Sequence, residues 1–367
     1  MFKTFRYRLY PTKTQAHWLA ETLETCRHLY NNCLAERKNA WELEKRSVGK
    51  FEQLRKVKDL KATNPYAANV HSHILQVVVA DLDKAFAAFF RRVKAGETPG
   101  YPRFKGRGRF NSFGLKELGN GFRLDGRRLK LSGIGRVAVR WHRPIEGALK
   151  TVRVVGAAGK WFACFACELD GQPLPPSGNE MGVDVGVSAL LTTSDGRQID
   201  NPRWYRVEQK RLRVLQRTVS RRTKGGSHRR KAVGALARHA EHIANRRKDF
   251  LNKIVCQLVN ENDRIAIEDL RVGNMARNHS LSKSLLDAGW GYFRMQLEGK
   301  AAYAGRTVAA VDPAYTSKSC SNCGQVFQDF DLSTRWVECA CGLSLDRDHN
   351  AALNIVKRAG HVRWGLT

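Results

Sequence analysis

The chain has 367 residues, enough for roughly two or three domains, and 42% of them are hydrophobic, so it can bury a core. Lysine and arginine number 64 against 34 acidic residues, which gives a formal net charge of +30. A field of this sign and size favours a polyanionic partner, most often nucleic acid. Neither a signal peptide nor an apolar run of about 20 residues is visible. We therefore expect a cytoplasmic protein with no membrane partner.

The first half of the chain predicts a strand, two helices and a group of short strands. Alternating apolar residues predict a strand over 2–10, which Pro11 ends. Helical spacing predicts one helix from 15 to about 40 and another over about 72–94. The apolar face predicted for the second helix comprises Leu75, Val79, Leu82, Phe86, Phe89 and Phe90.

A loop and a boundary follow. The sequence GYPRFKGRGRFNSF at 100–113 is a basic, glycine-rich loop, and short strands with turn signals are expected from about 121 to 169. The segment DGQPLPPSGNE at 170–180 is rich in proline, glycine and polar residues. It predicts the main domain boundary.

Beyond this boundary, predicted strands alternate with helices, which is typical of an α/β domain with a partly parallel sheet. Strands are expected within 181–196, at 264–270 and at 306–313. Long helices are expected over 203–260 with a break at Gly225 and Gly226, and a last helix over 351–360.

Acidic residues occur where these predicted strands should be buried. Asp184 lies inside the apolar sequence GVDVG, and Glu268 ends the apolar run of 265–267. A buried carboxylate is costly unless it binds something. Asp346 and Asp348 precede the last predicted helix, and a folded sheet could gather all three sites to hold two Mg²⁺ ions. Helix capping or surface exposure explains Asp195, Asp269 or Asp346 adequately, but explains Asp184 poorly.

Four cysteines form two short pairs near the C-terminus. Cys320 and Cys323 are separated by two residues, Cys339 and Cys341 by one, and a glycine follows each pair. Such pairs predict a closed structural Zn²⁺ site with four sulfur ligands. Cys164 and Cys167 have similar spacing, but they lie in a predicted strand, where residues three apart face opposite sides. We expect those two to be ordinary core or surface thiols.

Two long helices carry most of the concentrated positive charge. From residue 206 to 248 there are 15 lysines or arginines and only two acids, beside an apolar stripe. The basic faces suit contact with nucleic-acid phosphates. His228, His239 and His242 in this tract are expected to be surface or phosphate-contacting residues and not metal ligands.

Together these motifs resemble the TnpB family, the transposon-encoded RNA-guided nucleases related to type V CRISPR effectors. The resemblance covers nearly the whole chain in family order. It is carried by YRLYPTKTQ, GYPRFKGR, GVDVGVSAL, RRTKGGSHRRK, HIANRRKDFLNK, IEDLRVGNM, LLDAGWGYFRMQL, DPAYTSKSCSNCG and CGLSLDRDHNAALNI.

The resemblance implies a multidomain α+β architecture. A wedge-type β-barrel would comprise 1–10 and 96–170, interrupted by a helical recognition segment at 11–95. A linker at 171–180 would lead to a RuvC (RNase H-like) nuclease domain formed by 181–315 and 346–367. A zinc-binding insertion would occupy 316–345.

The resemblance also implies functional residues. The catalytic, Mg²⁺-binding acids would be Asp184, Glu268 and Asp348, the last chosen over Asp346 by its place in DRDHNAA. The partners would be a guide RNA from the transposon end and double-stranded target DNA next to a short target-adjacent motif, bound by a monomer. Candidate readers of that motif are Ser72, His73, Gln76 and Phe51. Expected nucleic-acid contacts are Arg103, Lys105, Arg107, Arg217, Arg221, Arg222, Lys224, Arg229, Arg230, Arg246 and Arg247.

Two other functions remain open on the sequence. The chain could be an RNA-guided DNA-binding regulator, which the intact acids disfavour. It could also be a DNA transposase, since RNase H-like transposases use three carboxylates as well. An RNA-guided DNA endonuclease is the leading interpretation.

Overall fold

A computed structural model describes residues 1–328, 330–331 and 333–361. The chain divides into two compact units, Met1–Leu169 and Asp170–Thr367. Across the described residues, none of the helices combines the length and the apolar character that crossing a bilayer requires.

The first unit contains an eight-stranded sheet with four helices inserted between its first two strands. Its elements are β1 (Phe2–Tyr10), α1 (Lys13–Glu44), α2 (Lys50–Thr63), α3 (Pro65–Ala68), α4 (Ser72–Lys94), β2 (Ser112–Leu115), β3 (Glu117–Leu118), β4 (Gly121–Asp125), β5 (Arg128–Leu131), β6 (Gly135–Arg140), β7 (Ala148–Ala157) and β8 (Lys160–Glu168). The strand order is β2-β7-β8-β1-β6-β5-β4-β3. The end strand β3 also packs against β7, so the sheet curls back on itself.

The alternation in β1 places Phe5, Tyr7 and Leu9 fully inside this unit, as the sequence predicts. The helices differ from the prediction in two respects. Helix α4 has the bounds predicted for the second helix, but it is the fourth helix of the chain, because α2 and α3 were not predicted. Phe90 does not belong to the buried face of α4, since it is 61% exposed and only Phe86 of the three phenylalanines is buried.

The second unit is built on a five-stranded sheet in the order β11-β10-β9-β12-β13. Its elements are β9 (Glu180–Val185), β10 (Ala189–Thr193), β11 (Gln198–Asp200), α5 (Trp204–Ser220), α6 (Ser227–Glu261), β12 (Arg264–Glu268), α7 (Val272–Met275), α8 (Ser282–Ala288), α9 (Trp290–Tyr303), β13 (Thr307–Val311), β14 (Trp336–Glu338), β15 (Ser344–Asp346) and α10 (Arg347–His361). Strands β9, β12 and β13 run parallel to one another, whereas β10 pairs antiparallel with both β9 and β11. The sheet is therefore partly parallel, as predicted.

The two faces of this sheet are covered differently. Met181 and Val183 of β9, with Ile265 and Ile267 of β12, pack into a large core shared with α6 and α9. On the opposite face, Ala266 packs with Ile355 and Ala359 of α10. The residues that alternate along β9 and β12 with these core residues therefore point to the opposite face, toward α10. That face carries the acidic residues.

Candidate active site and zinc site

Asp184 and Glu268 lie side by side on neighbouring strands. Strands β9 and β12 are parallel, and Val183 pairs in register with Ile267. The next residue on each strand therefore points to the other face of the sheet, toward α10. Asp184 is only 9% exposed and Glu268 is half-buried.

Gly182 lets α10 approach this face closely. An ideal Cβ at residue 182 would lie 2.1 Å from the carbonyl oxygen of Ala352, so no other residue fits beneath the helix without displacing it. Asp348 stands one turn before Ala352, in the first turn of α10. One of its carboxylate oxygens would be 3.9 Å from a Cβ built at Gly186, at the end of β9. The helix thus carries Asp348 to the end of the strand that holds Asp184.

The electrostatics identify Asp184 as the centre of the cluster. Burial raises the pKa of Asp184 well above its usual range, and the negative charges of Glu268, Asp348 and, less strongly, Asp346 raise it further. The guanidinium of Arg347 opposes this shift by favouring the ionised form. All three carboxylates are therefore close enough to interact, although they come from positions 84 and 80 residues apart in the sequence.

Glu268 is held by a buried threonine that the sequence analysis did not identify. The hydroxyl of Thr316, which is 2% exposed, donates to Oε1 of Glu268. Burial raises the pKa of Glu268, while this hydrogen bond and the charge of Arg358 act in the opposite direction. Thr316 lies in DPAYTSKSC outside any strand or helix, so only its place before the first cysteine pair could have drawn attention to it.

The last helix begins earlier than predicted, at Arg347. Asp348 therefore lies within the helix and does not precede it. Asp346 accepts hydrogen bonds from the backbone N–H groups of Asp348 (2.9 Å) and His349 (3.1 Å), which is the pattern of a helix N-cap. Arg347 donates to Oδ1 of Asp348 through two nitrogens, at 2.8 and 2.9 Å.

The donor set of this cluster suits Mg²⁺, which prefers carboxylate oxygens. A buried carboxylate whose ionisation is opposed by two neighbouring acids is stabilised when a cation binds among them. Within the described residues, only a group of four cysteines brings its ligand atoms within 4.8 Å of one another. The three carboxylates are thus spread more widely than the ligands of a single compact site.

That group comprises Cys320, Cys323, Cys339 and Cys341. The sulfur atoms of Cys320 and Cys341 are 3.6 Å apart, and those of Cys323 and Cys339 are 3.5 Å apart. Four sulfurs about 2.3 Å from a tetrahedral zinc ion would be about 3.8 Å apart, so the arrangement can bind zinc.

Both cysteine pairs form tight turns in spite of their different spacing. The N–H of Gly324 donates to the carbonyl of Cys320, and that of Gly342 to the carbonyl of Cys339, each at 2.9 Å. Both glycines have positive φ, +81° and +87°, which other residues rarely adopt. The backbone N–H of Leu343 and the side chain of Asn322 lower the pKa of Cys341, which favours the thiolate that binds metal, whereas burial and the neighbouring thiols raise the pKa of Cys339. Cys164 and Cys167 both lie in β8, away from this group.

Most of the basic residues expected to contact nucleic acid are exposed, but some have protein partners. Arg229 donates to the carbonyls of Val219 and Arg222 across the turn between α5 and α6. Arg247 pairs with the buried Asp287 at 2.6 Å. The backbone of Lys105 bonds to the side chain of Asn31 on α1, which fixes the loop on that helix. The exposed members of the predicted set are Arg103, Arg107, Arg217, Arg221, Arg222, Lys224, Arg230 and Arg246.

The candidate readers of a target-adjacent motif are distributed over two helices. Ser72, His73 and Gln76 lie in the first turns of α4, where Gln76 accepts a hydrogen bond from Lys116. Phe51 is 71% exposed at the start of α2.

Three family models match the chain. A family described as a probable transposase (OrfB_IS605) matches 164–279, a Cas12f1-like TNB domain matches 290–355, and a helix-turn-helix domain matches 1–46. The last segment folds here as one strand and a single 32-residue helix.

Relatives match over almost the full length. A putative RNA-guided DNA endonuclease of Streptomyces pristinaespiralis is 37% identical, over 96% of this chain and 88% of the relative. The putative RNA-guided DNA endonuclease InsQ of Escherichia coli (strain K12) is 32% identical, over 98% and 92%. Among solved structures, the mini-RNA-guided endonuclease CRISPR-Cas_phi3 has a similar fold, with a TM-score of 0.51 at 10% identity over 98% of this chain and 92% of that one. The matching motifs, the family models and these full-length relatives together show that the chain belongs to the TnpB family.

Proposed function

We propose that this protein is an RNA-guided DNA endonuclease whose hydrolytic centre consists of Asp184, Glu268 and Asp348. One observation carries the proposal. Two parallel strands and the first turn of α10 bring three carboxylates together, and burial raises the pKa of the central one while the other two raise it further. Such a cluster is costly in the free protein and is explained by cation binding.

The residues that would hold Mg²⁺ are these three acids. Two bound ions would supply electrostatic stabilisation to the attacking and leaving oxygens of a phosphodiester. Asp184, the most buried of the three, would bind the cations together with Glu268 and Asp348.

The protein itself contributes orientation. Thr316 fixes one oxygen of Glu268, and Arg347 fixes one oxygen of Asp348, so each carboxylate keeps its other oxygen for a ligand. The core behind Val183 and Ile267 holds the two strands rigidly. Pre-organised groups of this kind reduce the reorganisation that catalysis would otherwise require.

The partners we propose are a guide RNA from the transposon end and double-stranded target DNA. The two full-length relatives described above are named putative RNA-guided DNA endonucleases, and the net charge of +30 suits two nucleic acids. Pairing with the guide would read the target sequence, and the protein would read a short adjacent motif. We assign that reading to Ser72, His73 and Gln76, with Phe51 as a further candidate, and phosphate contacts to the exposed arginines of 103–107 and 217–246.

The domain assignment follows from the same proposal. The curled sheet of the first unit would be the wedge barrel, and α1 to α4 the helical recognition segment. The five-stranded sheet with α10 would be the RuvC domain, the segment of 316–345 the zinc-binding insertion, and the working protein a monomer.

The test is to purify the full chain, sequence the RNA that co-purifies, and assay cleavage of a plasmid that carries the matching target in Mg²⁺. We expect one discrete RNA species and cleavage that Asp184→Ala abolishes while guide-dependent DNA binding persists. Asp195→Ala is the matched control, because Asp195 is an exposed acid in the turn between β10 and β11 that pairs with Arg197. A protein that binds its target but leaves the plasmid intact would be a regulator. Strand transfer without any RNA would indicate a transposase, and either result overturns the proposal.

A further inference from the structure

Helix α10 presents two buried asparagines that neither the hydrolytic centre nor the zinc site uses directly. Asn350 is fully buried and Asn354 is 8% exposed. They are four residues apart, so they lie on one face of the helix, one turn above the other. Burying an amide is unfavourable unless its donors and acceptor are bonded, so the identity of their partners is informative.

Both asparagines bind the first cysteine turn. Asn350 donates to the carbonyl of Ser319 (2.8 Å) and accepts from the N–H of Ser321 (2.8 Å). These are the two residues that flank Cys320, a buried sulfur ligand. Asn354 donates to the same Ser319 carbonyl (2.7 Å), and Lys357 donates to the carbonyl of Ser321. Three residues of α10, spaced four and three positions apart, thus hold the backbone on both sides of one cysteine.

The same helix also holds the residue that orients Glu268. Asn354 donates a hydrogen bond to the carbonyl of Thr316 (2.8 Å), and the Thr316 hydroxyl donates to Glu268. Arg358 donates to the carbonyl of Asp312 (2.9 Å), at the start of the turn that leads to Thr316. A continuous series of hydrogen bonds therefore runs from the cysteine turn through α10 and Thr316 to Glu268. Helix α10 itself carries Asp348.

We propose that the zinc site orients the hydrolytic centre through this network, with Thr316, Asn350 and Asn354 as positioning residues. The proposal rests on the function proposed above. Zinc would fix the turn around Cys320, and the turn would fix the register of α10 and the orientation of Thr316. In this way α10 would fix Asp348, and Thr316 would fix Glu268. The zinc site then has a role in the hydrolytic centre beyond stabilising its own small hairpin.

The physical reason for such coupling is the small core of the cysteine-bearing segment. In the described parts of 312–346, the buried side chains are Thr316, Cys320, Ser321 and Val337. A segment with so little apolar burial relies on its metal for order, since structural zinc contributes about 10–16 kcal/mol in small domains. Without zinc, the hydrogen bonds from Asn350 and Asn354 would lose fixed partners.

The test measures metal affinity directly. Mn²⁺ binding to the full chain, freed of nucleic acid, is followed by the loss of its free-ion paramagnetic resonance signal. Thr316→Val keeps the shape of the side chain and removes only the hydroxyl; we expect it to weaken Mn²⁺ binding about 10- to 100-fold, the range for residues that orient metal ligands. Thr316→Ser restores the hydroxyl and should bind Mn²⁺ nearly as well as the unaltered chain.

A matched control separates positioning from stability. Thr193 is equally buried, and its hydroxyl bonds to Asp195 and Arg197, but it pairs with Val183 and so lies on the opposite face of the sheet. Thr193→Val should lower the melting temperature at least as much as Thr316→Val and leave Mn²⁺ affinity unchanged.

Zinc removal completes the test, because coupling between two sites is reciprocal. Stripping zinc with a chelator that is then removed should weaken Mn²⁺ binding in the unaltered chain, and should weaken it much less in Asn354→Leu, which has lost the hydrogen bonds to both Ser319 and Thr316. Unchanged Mn²⁺ affinity on zinc removal, or equal effects of Thr316→Val and Thr193→Val, would overturn the inference. If Asp184→Ala also left Mn²⁺ binding and cleavage intact, the proposed function itself would have failed.

Discussion

Gly182 provides the sharpest test of how closely α10 is held against the sheet. A Cβ added there would lie 2.1 Å from the Ala352 carbonyl oxygen and 3.0 Å from the Val356 nitrogen. Carbon–oxygen contacts of this kind begin at about 3.3 Å. Gly182→Ala must therefore push α10 outward by about 1 Å. The obstruction is backbone, which cannot rotate away as a flexible side chain could.

Two magnitudes follow from this displacement. Overpacking of a core typically costs about 1–3 kcal/mol. For a folding unit of this size, about 200 residues, each kcal/mol lowers the melting temperature by about 2–4 °C. Cleavage should fall more steeply, since a misplacement of about 1 Å at a catalytic group can cost about 100-fold. Asp348 lies one helical turn from the displaced contact, so it moves with α10.

The assay compares cleavage rates at a temperature well below the melting transition, with guide-dependent DNA binding measured in parallel. Gly299→Ala is the control, since Gly299 lies in α9 with nothing within 4 Å of its ideal Cβ. There alanine should raise stability by about 0.5–1 kcal/mol and leave cleavage unchanged. Undiminished cleavage by folded Gly182→Ala would show that the carboxylates do not depend on this contact.

Three further predictions test the charges and the metal. In metal-free buffer, folding raises the pKa of Asp184 and of Glu268. The protein should therefore lose stability as the pH rises from about 4, the pKa of these groups in the unfolded chain, through their raised pKa values in the folded chain. Asp184→Asn should accordingly raise the melting temperature at pH 7 in a chelator while abolishing cleavage, and added Mg²⁺ should stabilise the unaltered chain but not this variant. The purified chain should contain one zinc ion, and Cys323→Ser should lower both the zinc content and the amide-exchange protection of the cysteine turns. Replacing the exposed Arg221 and Arg222 by alanine should reduce the slope of log affinity against log salt by about 0.9 per lost DNA phosphate contact.

Regular elements with strong periodicity could be predicted from the sequence. Strand β1 and helix α4 have the predicted bounds, because their apolar residues repeat at the periods of a strand and a helix. Helix α2 could not be predicted in this way: only Gln53 and Val57 of its 14 residues are buried, so it has no apolar stripe. The loop that links it to α1 likewise carries no strong turn signal.

Some residues of the candidate site could be predicted from the sequence, and others could not. An acid within an apolar strand is unusual enough that Asp184 stands out from the sequence alone. Thr316 and Asn350 could not be found, because a hydroxyl or amide becomes informative only when its partner is known, and here the partners are 48 and about 30 residues away. Their contacts depend on how α10 is seated, and no local pattern encodes that.

Asp346 and Asp348 illustrate the same limit and allow a decisive comparison. Both acids stand at the start of the last helix, and only family resemblance distinguished them in the sequence. In the structure, Asp346 accepts from the N–H groups of Asp348 and His349 and so caps α10. Both acids raise the pKa of Asp184, Asp348 more strongly than Asp346. Asparagine caps helices about as well as aspartate, so Asp346→Asn should change stability by less than about 0.5 kcal/mol and preserve most cleavage. Asp348→Asn keeps the shape of the side chain but removes the charge, and should abolish cleavage and weaken Mn²⁺ binding. The two variants make the same aspartate-to-asparagine change at positions two residues apart. If Asp346→Asn were the inactive one, the acid assigned to the centre would be the wrong member of the pair.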